Sequence, residues 1–247
     1  MWDFAETSPL SEAAGDLATT TANMIRVLQR ETVLQNPGHV RACTATQHPL
    51  PDDSAAAFVT DPPYYDAVPY AHLSDFFYVW LRRSLIGFFP DLFTSPGVPK
   101  SEEIVVDRPH ELSTSNKGIQ FYERELMRAF AEGRRVTRPD GIGTIVFASK
   151  TTASWEAMLN AVVDAGWTIT ASWPIDTEME NRVAAQGQAR LASSIHLVCR
   201  PRENADGSLK EDLIGSWRSV LAALPARIHD WMPRLAAEGV VGADAIF

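Results

Sequence analysis

The chain has 247 residues, 45% hydrophobic and 21% charged, with 14 glycines and 16 prolines, which is the composition of a globular protein and excludes a disordered or fibrous one. Its formal charge of -9 excludes a surface that attracts nucleic acid or anionic lipid everywhere, so a polynucleotide would have to be held locally or by another polypeptide. Two cysteines, Cys43 and Cys199, lie in no C-x-x-C pair and near no ligand-spaced histidine, so neither a zinc site nor a structural disulfide between them is the expectation; no run reaches about 18 apolar residues and the acidic start carries no secretory pattern, so no membrane span or signal peptide is expected, and a reducing, cytoplasmic setting is.

In chain order, Ala22 to Leu34 carries Met24, Ile25, Val27 and Leu28 at helical spacing and is stopped by Asn36-Pro37-Gly38. His39 to Ala45 reads as a short strand. Ala55 to Thr60 is an apolar run bounded by turn chemistry, the pattern of a strand buried on both faces. It must end at Asp61-Pro62-Pro63-Tyr64, because proline supplies no ladder N–H and fixes φ. Ala71 to Phe89 is helical, and Phe76, Phe77 and Trp80 read as core. Residues 90–117 form a long proline- and serine-bearing loop. Ile119 to Val136 is an amphipathic helix closing on Arg134 and Arg135, where cations suit the dipole. A Pro139-Asp140-Gly141 turn leads into a strand over Ile142 to Ser149. Trp155 to Ala165 is a helix ended by Gly166. Strands over Trp167 to Trp173 and Ser194 to Cys199 follow, then a helical region over about Leu209 to Leu235. Strand and helix alternation predicts an α/β fold with a doubly wound sheet, in which ligands sit beyond the carboxyl ends of the strands. Asp61 falls there.

Asp61-Pro62-Pro63-Tyr64 after a strand suits chemistry on an exocyclic amino group. The lone pair of such an amine is delocalised into its ring, and acceptors that draw on the N–H groups restore it. The Asp61 carboxylate and the Pro62 carbonyl can do this together, with Pro63 stiffening the turn so that neither reorganises. Tyr64 can stack on the base, which must first leave its duplex stack. Tyr65 and Asp66 stand next to this chemistry, and whether they line the pocket is open. Lys100, in the long loop, could contact phosphate or cofactor, although a loop lysine is more often simply solvated. Arg82, Arg83, Arg134, Arg135 and Arg138 could form a phosphate rim, with solvated helix ends the plainer reading.

Thr60-Asp61-Pro62-Pro63-Tyr64-Tyr65-Asp66, followed by Tyr70-Ala71-His72-Leu73-Ser74-Asp75-Phe76-Phe77-Tyr78-Val79-Trp80-Leu81-Arg82-Arg83, resembles the central segment of the large adenine-specific DNA methylases that carry an N-terminal domain of unknown function. Trp2-Asp3-Phe4-Ala5-Glu6, Pro99-Lys100, Trp173-Pro174-Ile175 with Thr177-Glu178, Ser193-Ser194-Ile195 and Cys199-Arg200-Pro201-Arg202 extend the resemblance along the chain. It implies a Rossmann-like methyltransferase sheet, adenine N6 in DNA as target, S-adenosylmethionine as methyl donor, and Asp61, Pro62 and Tyr64 as the residues that hold the base. The fold also needs a glycine-rich loop after its first strand and an acid after its second. Neither is found, and Gly141-Ile142-Gly143 reads as a turn element. The expectation is therefore a partial sheet missing its first two strands, within a larger enzyme. Residues 1–38 would be a helical lead-in, 39–200 the catalytic portion and 201–247 a helical extension. A non-catalytic remnant, or a subunit that meets a complementary cofactor-binding half, is the alternative.

Overall fold

The computed structural model describes residues 8–11, 15–31, 38–65, 68–106, 117–149, 151–176, 193–204, 208, 210 and 217–237. The chain divides into two compact units, Met1–Ala42 and Cys43–Phe247. In the first unit, α1 (Leu17–Glu31) has no buried residue. Its start is capped by the Asp16 carboxylate, which accepts the Thr19 N–H at 2.6 Å, as the unpaired donors of a first turn require.

In the second unit a mixed four-stranded sheet is formed by β1 (Ala55–Thr60), β2 (Thr137–Phe147), β3 (Trp167–Asp176) and β4 (Ser193–Pro201), in the order β1-β2-β4-β3. The β1–β2 pair is parallel. β4 is inserted between β2 and β3 and runs antiparallel to both. The helices are α2 (Tyr70–Leu85), α3 (Ile119–Val136), α4 (Thr152–Asp164) and α5 (Trp217–Ala237), with a short 3-10 turn at Pro90–Phe93.

α3 buries one stripe, Tyr122, Leu126, Ala129, Phe130, Gly133 and Val136, the spacing of a single helix face. That stripe meets alternate residues of β2, among them Ile145 and Phe147, together with Trp155, Met158 and Val162 of α4 and Leu197 and Cys199 of β4. Each large apolar side chain so buried contributes about 1.5–3 kcal/mol. Where α3 crosses β1, Gly133 leaves room for the Phe58 ring; a Cβ there would stand 2.5 Å from it. Phe58 stacks in turn on Trp167, with centroids 5.9 Å apart. The α4–β3 turn passes through Gly166 at φ +85°, a left-handed geometry that favours glycine.

Four sequence expectations are corrected. No strand forms over His39 to Ala45, a segment with one large apolar residue, Val40, too little to hold an isolated strand in water. β2 begins at Thr137, so Pro139-Asp140-Gly141 lies within it, accommodated by a register shift that sets Thr137 opposite Ala55 and Ile142 opposite Ala57. Among the described residues β1 is an edge strand with no buried residue and half of its six exposed, not buried on both faces, with Val59 71% accessible. The α2 aromatics are not core: Phe76, Phe77 and Trp80 are 60–69% accessible, and Ala71 is the helix's one buried residue. Among the described residues, α3 and α4 pack against one face of the sheet, while Ile142, Trp173 and Ile175 remain exposed. The α/β class stands, with a mixed four-stranded sheet.

Candidate functional site

β1 delivers Asp61 at its carboxyl end, and the two prolines then turn the chain away from the sheet. A cavity of about 270 Å³ opens there, lined by Asp61, Pro62, Pro63, Tyr64 and Tyr70. A larger cavity, about 510 Å³, follows the side of α1 along Met24, Val27 and Leu28, and no titratable residue lines it.

The turn is held from three sides. The Pro63 carbonyl accepts the Tyr65 N–H at 3.0 Å and the Tyr122 hydroxyl at 2.8 Å. The Tyr65 carbonyl accepts the Val106 N–H at 3.0 Å. Tyr65 sits at φ +53°, a left-handed conformation that costs a side-chain-bearing residue about 1–2 kcal/mol. Among the described residues no donor reaches the carbonyl of Pro62, although Pro62 itself is buried. Thus the second proline's carbonyl has two donors while the first's has none among the described residues.

The Tyr64 ring lies half in the core, edge-on to Phe147 with centroids 5.4 Å apart. Burial, and then a hydrogen bond to the Asp61 carboxylate, hold the Tyr64 hydroxyl above the ordinary phenol range. It therefore stays protonated and donates to Asp61, whose remaining lone pairs can accept from a ligand. Burial likewise raises the Tyr70 hydroxyl, opposed by a backbone hydrogen bond from Tyr64, while the charges of Asp61 and Glu103 raise it further. The arrangement is acceptor-rich and flanked by phenols, suited to a planar ligand that presents N–H donors.

Of the residues singled out in the sequence, Asp61, Pro62, Pro63 and Tyr64 share this cavity. Tyr65 turns against Tyr122, with ring centroids 5.3 Å apart, and Asp66 lies outside the described residues. Lys100 is engaged elsewhere. Its ammonium pairs with Asp75 of α2 at 2.6 Å and donates to the Val98 carbonyl at 3.0 Å. That contact, with the Val98 N–H, holds the Asp75 carboxyl below the usual range.

The arginines considered as a phosphate rim are also occupied. Arg134 pairs with Glu203, Arg135 with Glu132 and Asp52, and Arg138 with Asp140, while Arg82 donates to the Phe93 carbonyl and Arg83 lies over the Trp80 ring. No cluster of metal-ligating side chains occurs among the described residues, and no described helix is long and apolar enough to cross a membrane.

Sequence reasoning did not single out Tyr70, Tyr122 or Glu103. Glu103 accepts the Ala71 N–H at 2.9 Å and so caps α2. The Lys117 ammonium donates to the Lys100 and Glu103 carbonyls at 2.7 and 3.1 Å. Residues 98–106 thus tie α2, the turn and the start of α3 together. Tyr70 belonged to a run already noted, but Tyr122 is far away in sequence and nothing local marks it.

No protein-family model matches the chain, and no curated protein matches it. Among solved structures it is similar to a protein of Thermus thermophilus provisionally assigned as a DNA modification methylase, with 13% identity and a TM-score of 0.32 over 74% of this chain. The match covers 58% of that protein, so this chain spans well under two thirds of its length.

Proposed function

We propose that the chain is the target-base portion of an S-adenosylmethionine-dependent DNA methyltransferase acting on the exocyclic N6 amine of adenine. One observation carries the reading: Asp61 and Pro62, whose carbonyl accepts no hydrogen bond from a described residue, line one cavity at the carboxyl end of β1. The two acceptors take the two N–H groups of an exocyclic amine. The nitrogen lone pair is then drawn out of the ring and is available as a nucleophile, and the rigid prolines require no rearrangement as it reacts. Tyr64 and Tyr70 wall the cavity, excluding water from the amine and offering ring surface to a base that has left its stack.

The described residues form no cradle for S-adenosylmethionine: none of their strands is followed by a glycine-rich loop, and the described sheet ends at β1. This favours a portion that works with a cofactor-holding half over one that transfers methyl alone. An exposed apolar edge strand and an uncovered aromatic helix, both next to the site, support the same reading. The alternative, a non-catalytic subunit that binds the base without transfer, shares the same pocket.

Calorimetry on the isolated chain is expected to show no S-adenosylmethionine binding tighter than about millimolar, near -4 kcal/mol; micromolar binding would overturn the half-site reading. When the chain is joined to a cofactor-binding half, Asp61→Ala is expected to abolish transfer and to leave cofactor affinity intact. Unchanged transfer in that variant overturns the catalytic reading.

A further inference from the structure

We propose that Tyr122 is the positioning residue of this site: its hydroxyl, donated to the Pro63 carbonyl, holds the turn in the form that leaves the Pro62 carbonyl free and turns Asp61 and Tyr64 toward the cavity. The proposal rests on the base-binding reading above for its functional consequence, and on geometry for the rest.

Tyr122 lies on the first turns of α3 and is fully buried. A buried hydroxyl must find a partner, and the core around it is supplied by Leu126, Phe130, Ile145 and Phe147, none of which offers a side-chain acceptor. Its partner is the Pro63 carbonyl at 2.8 Å. The same Pro63 carbonyl also accepts the Tyr65 N–H at 3.0 Å, so the phenol and the Tyr65 amide converge on one oxygen of the turn. The Tyr65 ring packs edge-on against the Tyr122 ring, and Tyr65 is the residue held at φ +53°. Strain of that kind persists only where the surroundings over-determine it.

Here the determinants are the phenol, the ring contact and the Val106 N–H on the Tyr65 carbonyl. Without the hydroxyl one of these restraints is lost, and any relaxation of Tyr65 toward negative φ rotates the preceding peptides and moves the Pro62 carbonyl and the Tyr64 ring together. α3 itself is fixed to the sheet by the rest of its buried stripe. Tyr122 therefore transmits the position of a rigid helix to a turn that no sheet hydrogen bond reaches.

The test compares the full chain with Tyr122→Phe, which keeps the ring contact and removes the oxygen. Amide hydrogen exchange is read at Tyr65 and Val106 relative to Ile145 and Phe147 of β2. In the variant the Tyr65 and Val106 amides are expected to exchange about tenfold faster relative to the β2 amides, the loss of one hydrogen bond. A change by the same factor at all four positions marks a merely structural role and overturns the proposal, as does no change at Tyr65. Affinity for a fluorescein-labelled oligothymidylate carrying a single adenine is measured on the same samples and is expected to weaken by a similar factor. A variant with released turn amides and undiminished adenine affinity refutes the positioning role. If the wild-type chain does not discriminate adenine at all, the base-binding reading fails, and with it the functional consequence, while the exchange ratio still decides whether Tyr122 holds the turn.

Discussion

Replacing Arg134 with alanine strands a carboxylate. The Arg134 guanidinium is the ion-pair partner of Glu203, whose side chain is only 5% accessible against 21% for the arginine. The same guanidinium donates to the Ala165 carbonyl at 3.0 Å, so it joins the end of α3 to the α4–β3 turn. Among the described residues Glu203 Oε1 has no donor. Burial holds the Glu203 carboxyl above its ordinary value of 4.5, and the Arg134 charge is the largest influence opposing that rise. Removing one partner of a buried pair costs about 3–5 kcal/mol, because the other is left charged without compensation. For a chain of this size that corresponds to a fall in Tm of roughly 10 °C.

The sign of the pH dependence follows from the raised carboxyl. A group whose folded value lies above its unfolded value supports the fold fully below the unfolded pKa and loses that support as pH rises through the folded one. Without Arg134 the folded value rises further, so the deficit of Arg134→Ala is expected to be largest at pH 7 and to shrink toward pH 4.5. Urea unfolding followed by tryptophan fluorescence at pH 7 and pH 5 measures both. The double variant Arg134→Met with Glu203→Leu is expected to recover most of the loss, since an apolar pair of similar volume has no charge to desolvate. A deficit below about 1 kcal/mol at pH 7, or one equal at both pH values, would refute the reasoning.

Three further outcomes follow from the packing. Gly133→Ala gains about 0.5–1 kcal/mol of helix propensity, but its methyl would stand 2.5 Å from the Phe58 ring; overpacking at about 1–3 kcal/mol wins, so net destabilisation is expected in chemical unfolding and is relieved by Phe58→Leu. Phe77→Ser on the open face of α2 is expected to change stability by less than about 0.5 kcal/mol, where a core phenylalanine would cost about 3–5; urea midpoints distinguish the two. Lys100→Met is expected to leave affinity for the adenine oligonucleotide within twofold while the Val98 amide loses protection, because the ammonium pairs with Asp75; a large loss of affinity would assign it to the phosphate grip.

Where the pattern carries its own partner, the sequence is a sufficient guide. α3 spans the residues its apolar stripe and terminal arginines predict, and β1 ends where the prolines forbid a ladder bond. Periodicity names the apolar side of α2 and β1, yet it cannot say whether anything covers that side; hence Phe76, Phe77 and Trp80 read as core and stand in solvent. Strand direction is equally silent, and nothing local to Ser193–Pro201 indicates that it enters between β2 and β3. In the site, Asp61 to Tyr64 are legible because four adjacent residues carry one chemical logic. Tyr122 and the Asp75–Lys100 pair are not, because their partners are brought together by tertiary packing alone.

Asp61 and the Pro62 carbonyl are proposed to recognise an exocyclic amine. Fluorescence anisotropy of two labelled oligothymidylates, one carrying adenine and the other unsubstituted purine at the same position, tests it in the wild-type chain and in Asp61→Ala. Comparing the two oligonucleotides within each protein cancels the change in net charge. Hydrogen bonds to a charged acceptor contribute about 1.5–3 kcal/mol, so the account expects the wild-type chain to prefer adenine by at least tenfold and Asp61→Ala to lose the preference. Equal affinity for the two oligonucleotides in the wild-type chain, or a preference that survives in Asp61→Ala, would contradict it.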